Sequence, residues 1–527
     1  MRRSPWSHRL RYADGSRETG MKLVAGIDVG GTNTDAVLVR DGQIVAWAKV
    51  PTTPDVYSGV FSALGRINAE GAARVHIGTT AFTNALIERR DLAPAAAIRA
   101  GKPASESLPP MSDWPADLEA AARIQSYFVS GGREYDGRAI GALDQDEIVE
   151  IAGRLAASGV TQAAVTAVFG TSYPEDETRI AEWLMQANPN LQVSVSHRIG
   201  RFGILERENA TLLNAMLRPL ATRTLAAYQA AVPANLFISQ NDGTVAHGTR
   251  AAESPIFTVA SGPTNSLRGA AILASSREAI VLDVGGTTTD AGLLRLGYPQ
   301  PAGLDLTVAG VRTNFRMPDL CSVGIGGGSL VNPETGEVGP RSVGYRLTEE
   351  AIVFGGETLT LTDVSVAAGR IDLGDRTRVA HVSAGAITRV NEHLRGRLER
   401  LLENFERAGR HLPIILVGGG APLIEDLLRG LGREVICPAH ADVANAYGAA
   451  MAQVGGEADL TFSSASVSRA EALARAEREA HRRAIEGGAS PGSIATVELE
   501  DAAFSYLASD AIRVRARAVG DIEDPAS

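Results

Sequence analysis

Cysteine is nearly absent. Cys321 and Cys437 are the only two in 527 residues, so there is no disulfide framework and the chain suits a reducing cytoplasm. A basic surplus is also missing: the net charge of −10 leaves nothing to neutralise a phosphate backbone, which argues against nucleic acid as a partner. No apolar run reaches the length that spans a bilayer, which argues against a membrane role. Residues 1–20 are Arg-rich but lack the apolar stretch of a secretory signal. Met21 stands directly before the first strand pattern, so 1–20 reads as a disordered extension or as a start placed too far upstream. No Gly-Lys-Ser/Thr phosphate loop occurs, because Gly101-Lys102 runs straight into Pro103. No pair among the nine histidines has the close helical spacing and carboxylate company of a zinc site. His76, at a strand end, reads as a packed and hydrogen-bonded side chain. Cys321 has no histidine near it in sequence and does not read as a nucleophile.

What is present is a repeat. Asp28-Val-Gly-Gly-Thr-Asn-Thr-Asp35 returns as Asp283-Val-Gly-Gly-Thr-Thr-Thr-Asp290, 255 positions further on. One loop repeated in two halves predicts two similar domains facing each other. Apolar runs on either side, Lys22–Ile27 with Ala36–Val39 and Ala279–Leu282 with Ala291–Leu296, make each copy a strand–turn–strand hairpin. Paired glycines admit close approach by a ligand. Successive backbone N–H groups with Thr hydroxyls form a concave donor surface for phosphate oxygens. An Asp at the strand end can hold a hydrated Mg²⁺, which prefers few carboxylates plus phosphates.

The length exceeds what a single core supports, so two or more domains are expected. Residues 21–204 alternate strands and helices as a layered α/β half, with Pro94–Pro115 reading as a long loop. Leu205–Ala231 reads as a long helix connecting the halves. The second half, 205–455, opens its strands near Leu236 and contains a clean amphipathic helix through Ile387, Val390, Leu394, Leu398, Leu401 and Phe405. In the tail, 456–527, a charged helix over Arg469–Ile485 precedes Ile512–Val519, which alternates like an exposed strand with a solvated charged face.

The doubled loop resembles the two phosphate loops of the actin, Hsp70 and sugar-kinase ATPase superfamily. Pro413-Ile-Ile-Leu-Val-Gly-Gly-Gly420 resembles its adenosine-gripping turn, with Ala421–Arg429 as the helix. The resemblance implies two actin-like (ribonuclease H-like) α/β domains facing across a nucleotide cleft, plus a small C-terminal tail. Within that superfamily, Gly78-Thr-Thr-Ala-Phe-Thr-Asn-Ala-Leu-Ile-Glu-Arg89 resembles a segment of the hydantoinase/oxoprolinase A subunits. So do Leu205–Thr211, Ser261–Gly269, Asp319–Ser329 and Leu361–Arg370. The likeness covers about residues 22–455, although the chain is shorter than the family's larger A subunits.

The resemblance implies ATP and Mg²⁺ as cofactors, with roles carried over residue by residue. Asp28 and Asp283 would position the metal through its waters. Gly30, Gly31, Thr32 and Thr34, with Asn33 between them, would hold the γ-phosphate; Gly285, Gly286, Thr287 and Thr288 the β-phosphate; and Gly418, Gly419 and Gly420 would pass under the adenosine. Asp35 and Asp290 close their loops, either capping the turn or orienting a hydroxyl. For a substrate, Gly78, Thr79 and Thr80 open a helix whose N–H groups could receive a polarised carbonyl, with Asn84 one turn on; a plain helix N-cap is the competing reading. Ser261, Gly326 and Gly327 complete the candidates, and the glycine run can equally be a hinge. The activity implied is ATP-dependent phosphorylation of a cyclic amide carbonyl (hydantoin, 5-oxoproline or lactam) for ring opening. A B-type partner subunit goes with it, and homo-oligomerisation stays open. Two alternatives stand beside it: the ATP-using subunit of an acetone-type carboxylase, and a non-enzymatic ATP switch.

Overall fold

The computed structural model describes residues 23–31, 33–52, 56–232, 234–303, 306–406, 411–463, 467–503 and 511–523. The expected extension at 1–20 and the candidate Thr32 lie outside them.

Two sheets repeat one topology. In the first, Leu23–Val29 pairs antiparallel with Asn33–Arg40, which pairs antiparallel with Gln43–Pro51. On its other side Leu23–Val29 runs parallel to Arg74–Thr79, and that strand runs parallel to Asn235–Ser239. In the second sheet, Ala279–Val284 pairs antiparallel with Thr289–Arg295, and that strand with Tyr298–Pro299. Ala279–Val284 also runs parallel to Ile414–Val417, which is followed by Val435–Ile436. Numbered along these five-strand paths, both have the order 3-2-1-4-5, with Leu320–Val323 pairing Thr289–Arg295 off the path of the second sheet. The pattern follows the sequence: Ile414–Val417 is a continuous apolar run buried throughout, as an inner parallel strand requires. Gln43–Pro51 alternates and ends its sheet with one face exposed.

Three expectations are corrected. Asn235–Ser239 and Thr244–His247 belong to the first sheet, not the second, because the helix Ile204–Ala231 returns the chain to the half it left. That helix packs on strands Ala95–Ala100 and Gln162–Ala167 and on the helix Val56–Arg66. The stretch read as a long loop from Pro94 begins with Ala95–Ala100, a wholly buried strand of a separate four-stranded parallel sheet. Its alanine run has no alternation, since both faces are covered. The tail is no appendage: Gln453–Ser463, Ala511–Gly520 and Ala495–Ala503 extend the first sheet to nine strands. Ala511–Gly520 is paired on both edges. Val514, Ala516 and Ala518 are buried in one cluster with Ala472, Ala476 and Ala480 of the helix Arg469–Glu486. Only the face bearing Arg513, Arg515 and Arg517 reads as exposed from sequence, and even Arg517 is buried.

Two helices lie between the sheets, Ser261–Leu273 and Ala444–Ala450. Their backbones touch: a Cβ added at Gly269 would stand 1.8 Å from the Ala444 carbonyl oxygen, and one at Gly448 2.0 Å from that of Asn265. Only glycine permits this contact. Deeper in the first half, Glu177 is fully buried, accepting from the Ser196 hydroxyl at 2.5 Å and facing His197 Nδ1 at 2.8 Å. Burial pushes its pKa up, but His197 and Arg207 bring it below the ordinary range.

Candidate nucleotide and metal site

The repeated octapeptide is a repeated structure. Asp28 registers opposite Asp35 and Asp283 opposite Asp290. Each turn closes by one backbone bond, Gly30 N–H to the Asn33 carbonyl at 3.0 Å and Gly285 N–H to the Thr288 carbonyl at 2.8 Å. The glycine turn Gly418–Gly420 completes the group. Gly420 N–H donates to the Val284 carbonyl at 2.8 Å, and a Cβ on Gly418 would lie 2.3 Å from Asp283 Oδ1. In the first half Gly78 lies equally close to Asp28: a Cβ there would lie 2.3 Å from Oδ1, although Gly78 is the parallel partner of Asp28 whereas Gly418 follows the partner of Asp283, Val417. Gly419 is exposed and open.

Asp28 is buried and held from two sides. Asn265 Nδ2 donates to one carboxylate oxygen at 3.3 Å and Asn445 Nδ2 to the other at 3.1 Å. Asn445 also donates to Asp35 at 2.8 Å, and Lys49 Nζ donates to Asp35 at 2.7 Å. Asp283 accepts from the Ser266 hydroxyl at 2.5 Å. Burial raises the Asp28 carboxyl to about 6, with the Asp35 charge adding to it. Burial likewise raises Asp283 to about 6; Ser266 opposes the shift, and the charges of Asp290, Asp28 and Asp35 support it. The charges of the first loop thus bear on Asp283 in the second. Asp290 is also raised, by burial, against the hydrogen bond from Ser322.

Hard oxygen donors crowded around glycines suit a hard cation brought in with phosphates. Among the described residues no group of three His, Cys, Asp or Glu side chains forms a protein-only metal cage. The raised carboxyls have a consequence for stability. The contribution of Asp28 and of Asp283 is fully present below about pH 4, where folded and unfolded forms are both protonated, and is lost as pH rises through about 6. Asp283→Asn does not titrate. The metal-free variant is expected to match the wild type in Tm near pH 4 and to exceed it by a few degrees at pH 7.5; calorimetry across that range checks this.

Other candidates are placed as follows. Gly31 and Asn33 are exposed at the first turn; Thr287 is exposed and Gly286 and Thr288 half-buried at the second. Thr34 is buried, its hydroxyl 3.4 Å from that of Thr52 rather than at the turn surface. Asp35 does not cap its turn; it anchors Lys49 and Asn445. Thr79 Oγ1 lies 3.0 Å from the Tyr228 hydroxyl and accepts from Ala81 N–H at 3.3 Å, so the N-terminal hydroxyl is already used; Thr80 makes no side-chain cap. Burial, with the Asp28 charge behind it, pushes Tyr228 up to about 12. Asn84 is exposed on the helix Ala81–Glu88. Ser261 is buried beside Gly262, and its hydroxyl has no partner among the described residues. Gly326 and Gly327 are buried behind the second loop, with Gly327 N–H on the Gly285 carbonyl at 3.1 Å, so the run buttresses that loop. His76 is buried, bonded to the Ala449 carbonyl at 2.8 Å, and lowered to about 4 by burial.

Sequence reasoning missed Lys49, Asn265, Ser266, Tyr228 and Asn445. Thr264-Asn265-Ser266, three polar residues all buried in one helix, was the available signal; for Asn445 there was none. A cavity of about 560 Å³ lies elsewhere, between the tail strands and residues 295–303. Three of its arginines are held in ion pairs: Arg316 with Glu498 at 2.7 Å, Arg513 with Asp459 and Arg201 with Glu457 at 2.5 Å each. Burial pushes Glu457 up, but Arg201, Arg316 and Arg517 bring it to about 2. The cavity wall is a charged latch for the tail.

Twin glycine hairpins on twin 3-2-1-4-5 sheets, with facing carboxylates, define an actin-like α/β ATPase fold. The hydantoinase/oxoprolinase N-terminal region matches residues 24–187 and the hydantoinase/oxoprolinase domain residues 207–378. The chain belongs to the hydantoinase/oxoprolinase family. It is 27% identical over 380 residues to caprolactamase subunit alpha of Pseudomonas jessenii, covering 65% of this chain and 54% of that protein. It is 26% identical over 390 residues to the acetophenone carboxylase gamma subunit of Aromatoleum aromaticum, covering 66% and 53%. The chain thus spans about half the length of these relatives. The crystal structure of ATP-dependent caprolactamase from Pseudomonas jessenii superposes with a TM-score of 0.75 at 20% identity, covering 95% of this chain and 88% of that one. Nucleotide-free acetone carboxylase gives 0.64 at 19%, with the same coverage. No helix among the described residues is long and apolar enough to cross a membrane.

Proposed function

We propose that this chain binds ATP·Mg²⁺ between its two glycine loops and transfers the γ-phosphoryl group to the carbonyl oxygen of a cyclic amide, opening the ring together with a partner subunit. The observation that carries this is the pair Asp28 and Asp283, one from each half, both pinned by neighbouring side chains of one helix that runs between the halves. An amide oxygen is a weak nucleophile and its carbon a poor electrophile. As the oxygen–phosphorus bond forms and ADP leaves, the carbon becomes attackable. One water then adds, the ring C–N bond breaks with the amine taking a proton, and a second water releases phosphate from the acyl phosphate. The chain's own task is alignment and charge neutralisation: Gly30, Gly31, Gly285 and Gly286 cradle phosphates, Asp28 and Asp283 hold the metal's waters, and Gly418–Gly420 receive the adenosine. Magnesium, when bound, neutralises charge developing on the phosphoryl oxygens.

The likeness to the acetophenone carboxylase gamma subunit supports a second reading, phosphorylation of an enol or bicarbonate. Steady-state ATPase of the full chain with Mg²⁺, with and without a B-type subunit, separates the two. Stimulation by one hydantoin, 5-oxoproline or lactam is expected; turnover that needs bicarbonate and a ketone instead favours the carboxylase.

A further inference from the structure

We infer that Asn265 and Ser266, two consecutive residues of one helix, are positioning residues that set the spacing of the two metal-site carboxylates. Ser261–Leu273 runs between the halves, and neighbouring side chains on it diverge by about 100° around the axis. That divergence serves two carboxylates at once. Asn265 Nδ2 donates to Asp28 Oδ1 at 3.3 Å on the first half, and Ser266 Oγ donates to Asp283 Oδ2 at 2.5 Å on the second. Both residues are buried, Asn265 at 1% and Ser266 at 2% exposure, so neither side chain has solvent as an alternative partner.

The helix itself is fixed. Its backbone meets that of Ala444–Ala450 through Gly269 and Gly448, and a Cβ on Gly448 would intrude to 2.0 Å from the carbonyl oxygen of Asn265 itself. The second helix brings Asn445, which donates to Asp28 Oδ2 and Asp35 Oδ2. Three side chains on a locked helix pair therefore orient three carboxylates from two halves. Each oxygen of Asp28 accepts one amide N–H and keeps lone-pair capacity for a metal-bound water. The two carboxylates are tied here to covalent neighbours, 265 and 266. Outer partners of this kind typically contribute about 10- to 100-fold in metal affinity.

The inference rests on the reading of Asp28 and Asp283 as the metal site. Mn²⁺ serves as the spectroscopic probe: its binding to the full chain with a non-hydrolysable ATP analogue is titrated by electron paramagnetic resonance, alongside analogue binding in EDTA and Tm. Ser266→Ala and Asn265→Ala are each expected to weaken Mn²⁺ binding about 10-fold or more, with analogue binding in EDTA unchanged. Ser266→Thr, which keeps the hydroxyl, is expected to restore most of the loss. Ser266→Ala removes one oxygen from a packed helix and is the variant expected to stay folded. Mn²⁺ affinities within about twofold of wild type in both alanine variants would overturn the positioning role while leaving the metal site standing. Absence of Mn²⁺ binding in the wild type would overturn the metal site and this inference together.

Discussion

Asp28→Ala is expected to lose ATP turnover by on the order of 10³-fold while the chain stays folded. The loss corresponds to several kcal/mol of transition-state charge stabilisation, the scale a correctly held metal supplies. Asp28 makes no backbone bond that closes its turn; the Gly30 to Asn33 bond does that. What the variant loses is the acceptor for Asn265 and Asn445, and it gains relief from a buried carboxylate whose pKa stands near 6. Those effects offset each other in stability but not in catalysis. Turnover measured beside circular dichroism tests this; a folded variant with full turnover would remove Asp28 from the mechanism.

Arg99→Met is expected to destabilise the first half by about 3–5 kcal/mol, the cost of stranding a buried charge. Arg99 is wholly buried on the strand Ala95–Ala100, and its Nε donates to Glu208 Oε1 at 2.8 Å on the helix Ile204–Ala231. Burial raises the Glu208 carboxyl, and only Arg99 and Arg207 oppose that. Without Arg99, Glu208 must take a proton or admit water. The double variant Arg99→Met with Glu208→Gln is therefore expected to recover much of the loss, because Glu208 is no longer a carboxylate stripped of its ion-pair partner. Urea denaturation of the three proteins gives the comparison; equal losses in the single and double variants would show that packing, not charge, sets the cost.

How much of this was legible in the sequence divides along physical lines. Turns that need glycine and strand ends that carry aspartate leave a residue signature, and that signature occurred twice, so both hairpins could be placed by number, as could the glycine turn Gly418–Gly420. Buried parallel strands carry no such mark. Ala95–Ala100 is six residues without alternation, and its alanine content resembles that of a loop. Sheet membership is also silent in periodicity: Asn235–Ser239 reads as a strand, yet nothing local says which half it joins. The tail strand Ala511–Gly520 misleads because arginine on one face usually means water, whereas here Arg517 packs over the Tyr298 ring, 4.7 Å from its centroid. Within the site, the carboxylates were readable and their holders were not. Asn445 lies 417 positions from Asp28, and only the close approach of two glycine-bearing helices brings it there.

Calorimetric titration of the full chain with a non-hydrolysable ATP analogue, with and without Mg²⁺, tests the central claim most directly. One site per chain is expected, tightened by Mg²⁺ in the wild type, with the metal-dependent part lost in Asp28→Ala and in Asp283→Asn. Binding indifferent to Mg²⁺, or metal-dependent binding that survives both substitutions, would contradict the assignment of the facing loops.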